Sequence, residues 1–221
     1  MSLQSQSFER QIVKTVSLNY WLFLPPGYDD DPARRWPLIL FLHGMGERGD
    51  DLELVKKHGL ARLAEEQPAL LSPFVVIAPQ CPLGTYWAHE LDALNALLDE
   101  ALENLRIDPD RVYLTGLSMG GFGSWFLALA RPERFAAVVP ICGGGDPNAA
   151  CALKDVPVWA FHGAKDRIVR PMESRRMVRA LKACGGDVRL TIYPEADHDS
   201  WTETYANPEL YEWFLQHKRG G

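Results

Sequence analysis

A chain of 221 residues, 47% hydrophobic and 24% charged, has the size and composition of one soluble globular domain with a well-filled core. Lys and Arg number 23 against 29 Asp and Glu, a formal net charge of −6 with no block of like charges, which argues against a nucleic-acid partner and a basic membrane-surface protein. The longest apolar runs, at 38–42 and 74–78, fall far short of the roughly 18 residues a membrane helix needs, so no membrane span is expected.

In chain order, residues 12–17 and 20–24 read as an antiparallel opening pair of strands, the second stopped at Pro25-Pro26-Gly27. The run 37–42 is apolar at every position, as a strand covered on both faces must be. Similar runs recur at 74–78, 112–115, 136–141, 158–161 and 188–193. Between them, 52–66, 91–105, 121–130, 172–184 and 209–217 place apolar residues at three- and four-residue spacings, the helical period. This alternation predicts one doubly wound α/β domain over 1–221, a mostly parallel sheet of about eight strands with helices on both faces.

Residues 1–7 carry neither a basic segment nor an apolar stretch and do not read as a secretory signal. As it stands the chain is expected in the cytoplasm, or secreted if it is a domain cut from a longer exported parent. Cys81, Cys142, Cys151 and Cys184 are too few and too irregular for a disulfide scaffold, with no Cys-x-x-Cys pair for zinc. Free, mostly buried thiols are expected, a Cys142–Cys151 bridge across the Gly-rich loop being the alternative.

The most informative stretch is Gly116-Leu117-Ser118-Met119-Gly120, which follows a predicted strand and opens a predicted helix. That context makes Gly-x-Ser-x-Gly a nucleophile turn, with the serine hydroxyl raised above the sheet and glycines allowing close backbone approach. A serine needs a base, and the base needs an orienting group. Of six histidines, His43 and His162 end apolar strands just before Gly, where a side chain props a loop. His58 and His217 fall on helical patterns and His89 on a helix entrance. His198, after the last strand, is the expected base. Asp166, in the loop after a strand between Ser118 and His198, is the expected acid, with Asp146 its competitor. For the oxyanion, Met119 N–H should be one donor and Met45 N–H, in His43-Gly44-Met45-Gly46, the other, with Gly46 the alternative. Glu47, Arg48 and Asp50 are expected to form an internal salt-bridge network holding that loop.

These residues resemble the α/β-hydrolase superfamily, and within it the phospholipase/carboxylesterase-like, feruloyl-esterase-like and dienelactone-hydrolase-like esterases. The resemblance rests on residues 43–49, on Pro79-Gln80-Cys81-Pro82 with Trp87, on 116–121 and on Asp166. It implies a serine carboxylesterase acting on short-chain, aryl or hydroxycinnamoyl esters, without metal or organic cofactor; a lysophospholipase or thioesterase is the alternative. Only residues 142–157 stand where lipases of this fold insert a helical cap, so the site is expected to lack a lid. Trp87 and Trp201 are the expected aromatic pocket walls. A peptidase fits less well, since such peptidases carry a gating domain. A binding protein on the same scaffold fits less well still, since such proteins lose the nucleophile or base. The expected partner is a small or polymer-attached ester.

Overall fold

In the computed structural model, which describes residues 3–220, seven strands form one sheet. They are β1 (Tyr20–Phe23), β2 (Trp36–Leu42), β3 (Val75–Pro79), β4 (Ile107–Leu117), β5 (Ala137–Ile141), β6 (Val158–Gly163) and β7 (Val188–Tyr193). Their spatial order is β1-β3-β2-β4-β5-β6-β7, with β1 antiparallel to β3 and every other pair parallel. The helices are α1 (Gly59–Glu66), α2 (Pro68–Leu71), α3 (Leu91–Asn104), α4 (Met119–Ala130), α5 (Met172–Ala183), α6 (Trp201–Ala206) and α7 (Pro208–Gln216).

The period-2 alternation of a strand explains why β2 is apolar throughout. Leu38, Leu40 and Leu42 enter one core with Leu94 and Leu98 of α3, Trp125 of α4 and Met177 of α5. Ile39 and Phe41 enter the other core with Leu60 of α1 and Phe214 of α7. Helices on both faces therefore hold the sheet, and the loops at the carboxyl ends of β2, β4, β6 and β7 come together above it.

Four expectations need correction. Residues 12–17 form no strand, and Ile12 and Val13 are 84% and 86% exposed. In a strand Ile12 and Val13 would face opposite ways, and the face of Ile12 and Val16 would carry Lys14, which instead pairs with Asp92 at 3.1 Å. The expected helix 52–66 is broken: a 3₁₀ helix, Leu52–Lys57, ends at His58, and α1 starts at Gly59 with φ +66°. A Cβ at Gly59 would lie 2.3 Å from Phe41 Cζ, so only glycine fits the break. His58 therefore stands in a junction and not on a helix face. The cysteines are neither all free nor bridged as Cys142–Cys151. Cys151, on the 3₁₀ helix Pro147–Leu153, is bonded to Cys184 at the end of α5, while Cys81 and Cys142 are free and buried. Cys142 is turned inward at φ +41° beneath the Ser118 amide, away from the surface where Cys151 lies. Fourth, α6 was not foreseen. Between β5 and β6 the chain carries that one 3₁₀ helix in place of a helical cap, and no helix among the described residues is long and apolar enough to cross a membrane.

Candidate active site

Ser118 joins β4 to α4 at φ +53°, ψ −114°, a strained conformation for a residue with a Cβ. Its N–H donates to Ile141 O at 3.0 Å and approaches Cys142 Sγ at 3.2 Å. The turn passes so close to the neighbouring strand that a Cβ at Gly120 would lie 1.9 Å from Leu42 O, and one at Gly116 2.4 Å from Gly120 O. The glycines of the motif are thus required by contact.

His198 comes from the loop between β7 and α6, and Asp166 from the loop after β6. His198 Nε2 is 2.9 Å from Ser118 Oγ, and His198 Nδ1 is 2.8 Å from Asp166 Oδ2. Because a carboxylate only accepts, Nδ1 carries the ring proton and Nε2 is left to receive the serine hydroxyl. Asp166 is 4% exposed, and its Oδ1 accepts the Ile168 and Val169 N–H groups, each at 2.9 Å. Its Oδ2 also lies 3.2 Å from His162 Nε2. Burial lowers the His162 pKa and keeps the ring neutral. Its Nε2 faces two acceptors, Asp166 Oδ2 and Val169 O at 2.8 Å, so Nε2 holds the proton, while Nδ1 lies 2.8 Å from Ser174 Oγ, whose one hydroxyl proton is shared with Gly143 O at 3.0 Å. His162 does more than prop a loop: its Nε2 proton faces the Asp166 carboxylate. Its place before Gly163 at the end of β6, four residues ahead of Asp166, was the available signal. Asp146 lies elsewhere, capping the 3₁₀ helix Pro147–Leu153 by accepting Asn148 N–H at 2.9 Å.

The loop after β2 is fixed by His43. Cys81 N–H donates to its Nε2 at 2.9 Å, so its proton is on Nδ1 and goes to Gly44 O at 2.6 Å. Burial pushes the His43 pKa down to about 4, preserving that neutral form. In a trans peptide the carbonyl and the following N–H point opposite ways, so tying Gly44 O to His43 turns Met45 N–H away from that ring. Met45 opens a 3₁₀ helix and Met119 opens α4, and the N–H of an opening residue has no partner within its own helix. Both border the same cavity as Ser118 and His198. The expected salt-bridge network is absent among the described residues. Arg48 instead donates to Met45 O at 3.2 Å and Thr85 O at 2.9 Å and lies over the Tyr86 ring, while Glu47 is buried. Carbonyls do the holding because Glu47 turns inward.

The cavity has a volume of about 650 Å³, and Met119, Phe122, Ile168 and Val169 contribute to its largely apolar lining. Trp201 is half-buried and sets its ring edge-on to His198, centroids 5.3 Å apart. Trp87 backs the wall with no exposed surface. Its Nε1 donates to His43 O at 3.0 Å, and a Cβ at Gly123 would lie 2.5 Å from its own Cβ. It thus borders the cavity, as expected, while also packing against Gly123 and steadying the His43 loop.

Cys142, Asp166 and His198 bring ligand-type atoms within 4.8 Å of one another. The trio suits a metal poorly: burial pushes the Cys142 thiol up to about 12, away from the thiolate a metal requires, and His198 Nδ1 is already committed to Asp166.

Residues 87–207 match the family model for phospholipases and carboxylesterases, and the chain belongs to the phospholipase/carboxylesterase family of α/β-hydrolases. A solved thermostable esterase superposes with a TM-score of 0.84 and 38% identity, covering 91% of this chain and 60% of that one. NocK of Nocardia uniformis subsp. tsuyamanensis, assigned to the esterases by its name, is 31% identical across 70% of this chain and 46% of its own. Feruloyl esterase C of Emericella nidulans is 26% identical across 68% of this chain and 55% of its own. The chain thus spans about half the length of these curated relatives.

Proposed function

We propose that the chain hydrolyses carboxylic esters through an acyl-serine intermediate. The observation that carries this reading is the unbroken hydrogen-bond chain Ser118–His198–Asp166 at the wall of an apolar cavity. Ser118 Oγ attacks the ester carbonyl as His198 Nε2 takes its proton, and Asp166 holds the imidazolium that forms. Negative charge gathers on the carbonyl oxygen, where Met45 and Met119 N–H are the proposed donors. His198 returns the proton to the departing alcohol. Water, deprotonated by the same nitrogen, then releases the acid and restores Ser118.

The family assignment supports the bond type, and the missing cap supports freely soluble, short-chain substrates. Trp201 offers one aromatic face, so aryl and hydroxycinnamoyl esters belong to the proposed range. A panel of p-nitrophenyl acetate, butyrate and palmitate, methyl hydroxycinnamates and a p-nitroanilide amide tests the reading. Saturable hydrolysis of the short and aryl esters, with palmitate and the anilide poor, is the expected result. Preference for the anilide would replace the esterase reading with a peptidase, and a rate jump on emulsified long-chain esters would contradict the lidless one.

A further inference from the structure

Glu47 interrupts the apolar lining of the cavity beside Ser118. Its side chain is only 7% exposed, and its Oε2 is buried with no partner in hydrogen-bond geometry, although the backbone N–H groups of Gly44 and Glu47 lie near the carboxyl. His43 Nδ1 lies 3.8 Å away but gives its one proton to Gly44 O. A buried acceptor in an apolar wall is costly until something donates to it. His58 borders the same cavity and sets its ring edge-on to Trp201 at 5.7 Å, which in turn meets His198. The carboxyl is also close to the nucleophile: a Cβ at Gly44 would lie 3.0 Å from Glu47 Oε2 and 3.8 Å from Ser118 Cβ.

We infer that Glu47, with His58 beside it, receives a hydroxyl group that the substrate carries near the scissile ester. The inference rests on the esterase reading and adds which esters are preferred. Closeness to Ser118 suits a hydroxyl a few bonds from the ester carbonyl better than one at the far end of a cinnamoyl chain. A hydroxyl can donate to a carboxyl in either protonation state. An ammonium group needs the ionised form, which burial disfavours by raising the Glu47 pKa. The hydroxyl has two sources: a hydroxyacyl group, or the alcohol of a polyol monoester.

The test compares kcat/KM on two pairs of esters, ethyl 3-hydroxybutyrate against ethyl butyrate and glycerol monobutyrate against propyl butyrate. A site built around a substrate hydroxyl rejects the analogue lacking it, so the wild-type ratio should be about tenfold or more in one pair, and that pair identifies the source. Glu47→Leu should bring the ratio close to one, chiefly through KM. Glu47→Gln, whose amide oxygen still accepts, should fall between. Each ratio is taken on a single variant, so general damage to the loop cancels, and if Glu47→Leu fails to fold, the wild-type and Glu47→Gln ratios decide. Wild-type ratios near one in both pairs, or a ratio unchanged by the substitutions, would overturn the inference while leaving the esterase reading intact. Failure to cleave any of the four esters would remove that reading, and this inference with it.

Discussion

Asp166 Oδ2 lies between two imidazoles, 2.8 Å from His198 Nδ1 and 3.2 Å from His162 Nε2. With two backbone N–H groups on Oδ1, every direction in which the carboxyl could turn is opposed by a donor it would lose. The orientation of the His198 ring is thus set two residues away from Ser118. Asp166→Asn should lower kcat by about 10³–10⁴-fold, since it presents the wrong partner to Nδ1. His162→Ala should cost about 10–100-fold, the scale of a small misplacement of catalytic groups. Asp146→Ala, which removes only a cap, should keep the wild-type rate. Steady-state kinetics on one ester decide, and a crippled Asp146→Ala beside an active Asp166→Asn would reassign the acid.

The buried histidines make stability depend on pH with a definite sign. His43 is held neutral in the fold with its pKa pushed down to about 4, against an ordinary 6.5. Below pH 6.5 the unfolded chain takes up a proton that the folded chain refuses, so stability falls as pH drops from 6.5 toward 4, by about 3 kcal/mol in all for this group. His162 acts in the same direction. Glu47 acts oppositely: its raised pKa contributes stability that is complete below the ordinary 4.5 and lost as pH rises through the folded value. Denaturant midpoints should therefore fall from pH 7 to pH 5. His43→Asn, which keeps an amide donor for Gly44 O, should fall less steeply, and an equal slope would contradict the assignment.

The Cys151–Cys184 bond encloses β6 and Asp166 within a sequence separation of 33. Closing a loop of that length in the unfolded chain stabilises the fold by about 3–4 kcal/mol in the chain-entropy treatment. The double variant Cys151→Ser/Cys184→Ser should lose about that much in denaturant titrations. Thiol counting on the unfolded, unreduced protein should find two groups, Cys81 and Cys142. Four would contradict the pairing.

Much of this was legible in the sequence because the signals were local. The Gly-x-Ser-x-Gly turn dictates its own strand, helix and glycine contacts, and β2 announces two covered faces by being apolar at every residue. What was missed depended on tertiary placement. The partner of Cys151 is set by where α5 ends, and the burial of Trp87 by the close packing of Gly123. The break at Gly59 follows from the Phe41 ring beneath it. For His162 the sequence carried only its place four residues ahead of Asp166, and whether the ring reaches the carboxyl depends on how the loop after β6 folds back.

Ser118 is the residue proposed to form the covalent intermediate. An aryl phosphonate fluoride should react with the folded protein in one-to-one stoichiometry, abolish ester hydrolysis, and leave its mass on the peptide containing Ser118. Ser118→Ala and His198→Ala should each take up no label and lose several orders of magnitude in kcat. Label on another residue, or ester hydrolysis at the wild-type rate by Ser118→Ala, would contradict the account.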